Sequence, residues 1–431
     1  MARVARTVVV KSARLPRKVF RLLVELEGIY RNMVEQLTLY AVRNNIKSFI
    51  KLKALKYREM RNLYPQLPSH YVYTACQDAS TRVKSFLRLK KLGLAEREYP
   101  EIRRVSIWLD DHLWKPVGLT FIRIATHRGW ITIEFEPHKQ YWKYINRGWK
   151  LVSEAKIKLD KRNRRLIIYL TFANEVREFK PRGYLSVDVN ENNVTMLVDN
   201  IAYAFETSTE KLVLGYHYRR KGIQERYDKH YGKKSRIKRK TMRKLKERKK
   251  KLDIRWKIAN IIVKTAYEKR YSIVLEKLGK KPANNMIAKI KDKRLRHRVF
   301  QASFRGIQRA IEEKAKEHGV TVIYVDPKNT SRLCPVHDTP INYNNSRIGK
   351  CGKGGELWHR DVVACWNLLF KVLRGDGSNA PSLAGLDVDV RLVPLASNAA
   401  HDPIGIPKSL WTRWKSLPQT QKAIVLNKMK R

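Results

Sequence analysis

The 431-residue chain predicts an α/β protein in two parts. The first is an N-terminal lobe with a small β-barrel-like sheet that carries a helical insertion; the second is a mixed sheet with helices on its faces. Three observations carry this reading. Apolar residues recur at helical spacing from about residue 16 to 100, then at a period near two from about Val105 to Phe172. From residue 184 onward, short strand-like runs are separated by longer helical ones, with three strands at the start. Finally, 92 Lys and Arg against 39 Asp and Glu give a formal charge of +53, which a compact chain sustains best against a polyanion.

In order, VARTVVV (residues 4–10) reads as a strand, and Pro16 precedes a helical pattern through Val19, Leu26, Ile29, Met33, Leu37 and Tyr40. A break at residues 64–69 follows, with Ser69 expected to cap a helix carrying Ala75, Ala79, Val83 and Phe86. Cys76 falls inside that pattern and reads as a buried small residue. VSIWL, LTFIRIA, WITIEF, AKIKL and LIIYLTF then read as strands between turn signals such as Arg128-Gly129. With this charge, the lobe is expected to grip duplex or structured RNA.

After a turn-rich linker near residues 180–183, YLSVDV, VTMLV and IAYAF form a meander, with Asp199-Asn200 as a tight turn. Residues 219–257 hold 20 Lys and Arg against four acids, a density that suits phosphate contact. YSIVLE (271–276) is a buried strand ending on an acid. One amphipathic helix is expected from Arg296 to His318, with Phe300, Phe304, Ile307 and Ile311 on its face and Gly319 at its C-cap. TVIYV is a further strand, and residues 361–373 a last helix.

This order fits an RNase H-like architecture, and it gives three acids a common place. Asp188 lies in the first strand, Glu276 ends the fourth, and Asp361 opens the last helix. Three convergent carboxylates can hold two divalent cations roughly 3.5–4 Å apart for phosphodiester cleavage. Oxygen donors suit Mg2+ or Mn2+. Each acid also has a plain structural reading: a turn acid for Asp188, a lysine partner for Glu276, a helix cap for Asp361.

Before Asp361 stands a degenerate metal knuckle, residues 329–360. It offers Cys334, His337 and Cys351, with Gly354 where a fourth ligand would complete a Zn2+ site. The readings stay open: His359 completes the set, or the loop folds without metal, or His359, two residues before Asp361, belongs to the active site instead. With four scattered cysteines, no disulfide framework is expected. No apolar run approaches transmembrane length and no signal peptide is evident.

SVDVNENNVT, IVLEKLG, VDPKNTSRLCPVH and HRDVVACWN together resemble the split RuvC motifs and zinc-finger insertion of the TnpB family of transposon-associated RNA-guided nucleases, to which type V CRISPR effectors are similar. The resemblance extends over most of residues 1–370. It implies a RuvC nuclease domain over 181–373, with a basic helical segment at 216–268 and the zinc-finger-like insertion at 329–360. It also implies an N-terminal nucleic-acid-binding lobe over 1–180, of which about 1–15 and 105–180 form a β-rich wedge and about 16–104 a helical recognition block. Residues 374–431 are a tail, in which Trp411 and Trp414 are expected to pack.

Carried onto this chain, the resemblance makes Asp188, Glu276 and Asp361 the catalytic metal-binding triad, flanked by Arg360 and Asn367. It implies a guide RNA, a double-stranded DNA target with a flanking motif, and no membrane partner; the expected place is the prokaryotic cytoplasm, at the nucleoid when bound to target. The chain departs from the family at Ser186, Asn190 and Val363. Two rival functions share the scaffold: a non-cleaving guide-RNA-dependent repressor, and a strand-joining transposase.

Overall fold

A computed structural model describes residues 2–374 apart from 200, 208, 233, 234, 280, 281, 289 and 303. The expected packing of Trp411 and Trp414 lies outside the described residues. The chain divides into two compact units, one covering Arg3–Glu175 and the other running from Val176 onward with the first two residues.

The first unit opens with β1 (Ala2–Ser12), followed by three helices, α1 (Arg17–Arg43), α2 (Phe49–Leu63) and α3 (His70–Lys91). The apolar stripe of α1 is buried along Leu23, Leu26, Tyr30, Met33 and Leu37, and Cys76 on α3 is buried too. Ser48 caps α2 by accepting the Lys51 amide at 3.4 Å. Ser69 does not cap α3, contrary to expectation. Its backbone is already helical, and the Tyr71 and Val72 amides go instead to the carbonyls of Pro68 (3.0 Å) and Ser69 (3.1 Å).

The strands that follow are β2 (Ile107–Leu109), β3 (Trp114–Val117), β4 (Phe121–Thr126), β5 (Gly129–Glu136), β6 (Lys150–Asp160) and β7 (Arg165–Val176), with a short α4 (Lys139–Ile145) before β6. They form one seven-stranded sheet in the order β2-β6-β7-β1-β5-β4-β3. Its two edge strands, β2 and β3, are consecutive in the chain and joined by a tight turn in which Leu113 and Trp114 donate to the Asp110 carbonyl at 3.0 and 3.1 Å. The sheet therefore nearly closes on itself. Sequence periodicity missed β3 and α4: Pro116 obscures a strand it can occupy only at an edge, and seven residues are too few to show a helical period.

In the second unit, β8 (Gly183–Val189), β9 (Asn193–Val198) and β10 (Ile201–Glu206) form an antiparallel meander, with Asp199 at a φ of 47° in the turn to β10. β11 (Tyr271–Glu276) pairs in parallel with β8 on one side and with β12 (Val322–Val325) on the other, giving the order β10-β9-β8-β11-β12. The basic segment is not one helix but α5 (Thr209–Tyr231), α6 (Arg236–Lys244) and α7 (Glu247–Lys269). Beyond β11 come α8 (Pro282–Ile287), α9 (Lys293–Gln301) and α10 (Phe304–His318). The single helix expected from Arg296 is thus broken near Ala302. Phe300, taken for its apolar face, is 52% exposed because it sits on α9 rather than α10.

Strand alternation decides which side chains meet which layer. Leu185, Val187 and Val189 of β8 and Ile273 and Leu275 of β11 pack with Ile258, Ile262, Ile307 and Ile311 of α7 and α10. The intervening residues face the other side, where α11 (Arg360–Leu373) lies: the Ser186 hydroxyl donates to the Cys365 carbonyl at 2.6 Å, and Val274 packs with Leu368. Between β12 and α11 the chain forms a small sheet of β13 (Ile341–Asn342), β14 (Ile348–Cys351) and β15 (Leu357–His359).

Candidate active site

Asp188 and Glu276 share the α11 side of the sheet. The last paired residues of β8 and β11 are Val187 and Leu275, so each acid is the next residue along, side by side at the carboxyl ends of adjacent parallel strands. Asp361 enters from above, in the first turn of α11, where its carboxylate is buried at 2% exposure. The three charges feel one another: burial pushes the Asp188 carboxyl well above its usual range, and Glu276 and Asp361 push it further. Burial also raises Glu276, against the Thr330 hydroxyl and the charge of Lys371.

Neutral amides and one cation hold this cluster. Asn190 donates to Asp188 Oδ2 at 2.6 Å, and Asn193, at the start of β9, donates to Asp361 Oδ2 at 2.7 Å. Arg347 Nη1 reaches both Asp361 oxygens, at 2.9 and 3.0 Å. Asn190, where the family often has glycine, is therefore a carboxylate partner in this chain. Val363 is wholly buried in the packing of α11. Asn367 donates to the carbonyls of Thr330 (2.7 Å) and Leu333 (2.8 Å), tying α11 to the root of the insertion. The Arg360 amide donates to the Arg347 carbonyl at 2.8 Å, which fixes the backbone of the arginine that meets Asp361.

The knuckle residues also converge, with a different fourth member. Cys334, His337, Cys351 and Glu356 each place one potential ligand atom within 4.8 Å of the others. His337 Nδ1 lies 3.7 Å from Cys334 Sγ, 3.5 Å from Cys351 Sγ and 3.4 Å from Glu356 Oε1. His359 is not part of this group. Its Nδ1 accepts the Asp361 amide at 3.3 Å, so it caps α11, and burial depresses its pKa. Gly354 makes the arrangement possible: a Cβ there would sit 2.1 Å from Glu356 Oε1 and 2.2 Å from the His337 ring. At Cys351 burial opposes the thiolate, yet the Thr339 hydroxyl and the Gly354 and Lys353 amides bring its pKa down to about 7. Burial raises Cys334.

Three participants escaped the sequence reading. Arg347 and Asn193 carried no local signal, since each meets its acid only through the fold. Glu356 does carry one, an acid two residues after the vacant ligand position, though it lies outside the Cys and His pattern of such knuckles.

Residues 26–125 match a family profile described as the uncharacterized protein MJ0013 family, and residues 304–368 match the Cas12f1-like TNB domain. Two similar proteins come from Methanocaldococcus jannaschii. Uncharacterized protein MJ0857 is 28% identical over 243 residues, 52% of this chain and 89% of that protein. TnpB-like protein MJ0751 is 29% identical over 266 residues, 58% of this chain and 89% of that protein. Among solved structures, the Cas12f1 chain of a Cas12f1–sgRNA–target DNA complex aligns with a TM-score of 0.56 at 14% identity, covering 81% of this chain and 82% of that one. The mini-RNA-guided endonuclease CRISPR-Cas_phi3 aligns with a TM-score of 0.50 at 12% identity, covering 88% and 94%. The fold is thus the α/β fold that these two chains share. Over about half its length the chain is similar to TnpB-like proteins, and its residues 304–368 match a Cas12f1-like domain.

Proposed function

We propose that this chain is an RNA-guided DNA endonuclease of a mobile element, with a RuvC-type catalytic centre at Asp188, Glu276 and Asp361. The observation that carries the reading is the convergence of three acids from β8, β11 and α11 on one face of the sheet, in a chain of formal charge +53. Like charges so close need cations. An all-carboxylate donor set with amide neighbours fits Mg2+ or Mn2+, held by these three residues. Bound there, such ions supply charge neutralisation and Lewis acidity at a scissile phosphate.

The protein's own groups do the rest. Asn190 and Asn193 fix the orientation of two carboxylates, so the site needs little rearrangement when a strand arrives. Arg347 brings a fixed positive charge to the rim, with its side chain 51% exposed, where it can meet the anionic backbone of a strand as well as Asp361. Zn2+ fits the Cys334, His337, Cys351 and Glu356 set, where its role is to tie the β13–β15 sheet together. Sequence recognition is delegated to pairing between a guide RNA and one DNA strand, with the flanking motif of the duplex target read by the N-terminal lobe.

The test is a cleavage assay with co-expressed RNA, magnesium and a target plasmid library. Asp188→Ala, Glu276→Ala and Asp361→Ala are each expected to abolish cutting and leave RNA binding intact. Retained cutting in any variant removes that residue from the triad. RNA-independent cutting by the wild type points to a strand-joining transposase, and RNA-dependent binding without cutting points to a repressor.

A further inference from the structure

A second basic feature lies on the α7 and α10 side of the same sheet. Thr207, Thr209, Leu212, Lys251, Ile254, Arg255, Gln301, Ala302 and Ile307 come from the start of α5, from α7 and from the α9–α10 junction. They line a shallow surface recess that itself encloses only about 20 Å3. None of them is acidic. The nearest acids are already engaged: Glu210 with Arg298 at 2.7 Å, and Glu247 with Arg220 and Lys251, both at 2.7 Å. Lys251 Nζ also donates to Gln301 Oε1 at 3.1 Å. Arg255 is different. Its side chain is half-buried, yet makes no ion pair or hydrogen bond with any described residue, and burial holds its pKa below the usual arginine range. Five guanidinium donors with no protein acceptor make a site for an anion, next to two hydroxyls that are already engaged, Thr209 donating to Thr207 at 2.8 Å and Thr207 to the Glu191 carbonyl.

The wall of the recess is bonded to the turn that holds the acids. The Thr207 amide donates to the Asn192 carbonyl at 2.8 Å, and the Thr207 hydroxyl to the Glu191 carbonyl at 2.9 Å. That same turn, closed by the Asn190 amide on the Asn193 carbonyl at 2.9 Å, carries the two amides that hold Asp188 and Asp361. An anion in the recess is therefore kept at a fixed offset from the carboxylates.

Resting on the nuclease reading above, we propose that the recess binds a backbone phosphate of the DNA strand that enters the carboxylate site, with Arg255 as its main contact and Lys251 and Thr209 beside it. Such a contact sets the register of the strand and carries no base information. It works upstream of the chemistry by placing the neighbouring phosphodiester, so Arg255 is a positioning residue.

The experiment uses the full chain with its guide RNA, in an Asp188→Ala background, and a labelled mixed-sequence single-stranded DNA as probe. Binding is measured between about 50 and 200 mM salt. Arg255→Gln is expected to weaken DNA binding severalfold for every sequence and to make the log–log salt slope shallower by about 0.7, the value of one phosphate contact on a single strand. Arg255→Lys should restore the slope and most of the affinity. Thr209→Val, which leaves the charge in place, should weaken binding less and leave the slope unchanged. The proposal is overturned if Arg255→Gln leaves affinity and slope as they were, or if guide-RNA binding falls by the same factor as DNA binding. The two readings fail separately. A wild type that never cuts, while Arg255→Gln shows the DNA defect, sinks the nuclease and keeps the recess; a wild type that cuts, with Arg255→Gln binding DNA normally, does the reverse.

Discussion

Asp361 is held by an amide from β9, a guanidinium from the insertion and the first turn of its own helix, and these contacts differ in what they resist. Asn193 fixes direction, while Arg347 offsets charge in a buried setting where three carboxylates would otherwise repel. Arg347→Ala is accordingly expected to slow DNA cleavage by about 10²-fold or more, the usual cost of removing a charge-stabilising donor from an active site. Arg347→Lys should recover only part of it, because a shorter, more flexible side chain holds the single nitrogen that meets both oxygens less firmly. Single-turnover rates at saturating DNA would check this, and an unchanged rate in Arg347→Ala would confine the residue to a structural role. In the knuckle, metal analysis of protein purified without added zinc should give about one ion per chain, falling toward zero in Cys351→Ser and Gly354→Ala. The Gly354 variant loses the ion because its new Cβ takes the space of Glu356 and His337. A wild type near zero would show that the knuckle folds without metal.

Among the elements, α3 carries a buried charge with a pH signature. Asp78 is 3% exposed and pairs with Arg82 through two bonds of 2.9 and 3.1 Å. Burial raises its pKa, and the Arg82 bonds only partly offset that. With the folded value above the unfolded one, its contribution to stability is complete at low pH and is lost as pH rises through the folded value. Asp78→Asn removes that dependence. The melting temperature of the variant minus that of the wild type should be more positive at pH 7 than at pH 4, by about 2–4 °C for each kcal/mol of ionisation cost. An equal difference at both pH values would mean that Asp78 ionises as freely in the folded chain as in the unfolded one. The meander and β11 were legible because their apolar runs are short and bounded by turns. The break between α9 and α10 was not: Phe300, Phe304, Ile307 and Ile311 keep a helical period across it, and only packing turns Phe300 outward. Glu356 was marked only by its place two residues after the vacant ligand position, and its neighbours His337 and Cys334 are brought to it by the turns around a three-stranded sheet.

For the whole molecule the controlling quantity is charge. With +53 formal charges and 20 basic residues in the stretch from Arg219 to Lys257, nucleic-acid affinity should fall by about 10³-fold or more between about 50 and 200 mM salt, as for six to ten phosphate contacts. Filter binding over that range would test it, and a nearly flat response would remove electrostatics as the main source of affinity. Composition alone carried the expectation of a polyanion partner, because charge sums without regard to fold. Sequence order likewise placed Asp188 in a strand, Glu276 at the end of another and Asp361 at the start of a helix, because period-two burial and turn chemistry are local properties. The tertiary structure decided what no local rule contains. It set Asp188 beside Glu276 through the register of two strands some ninety residues apart, brought Arg347 and Asn193 to Asp361, and exchanged His359 for Glu356 at the knuckle. Each of those contacts joins segments whose meeting depends on how the sheet, its covering helices and the insertion pack, and packing is settled only when the whole apolar surface of the unit is buried together.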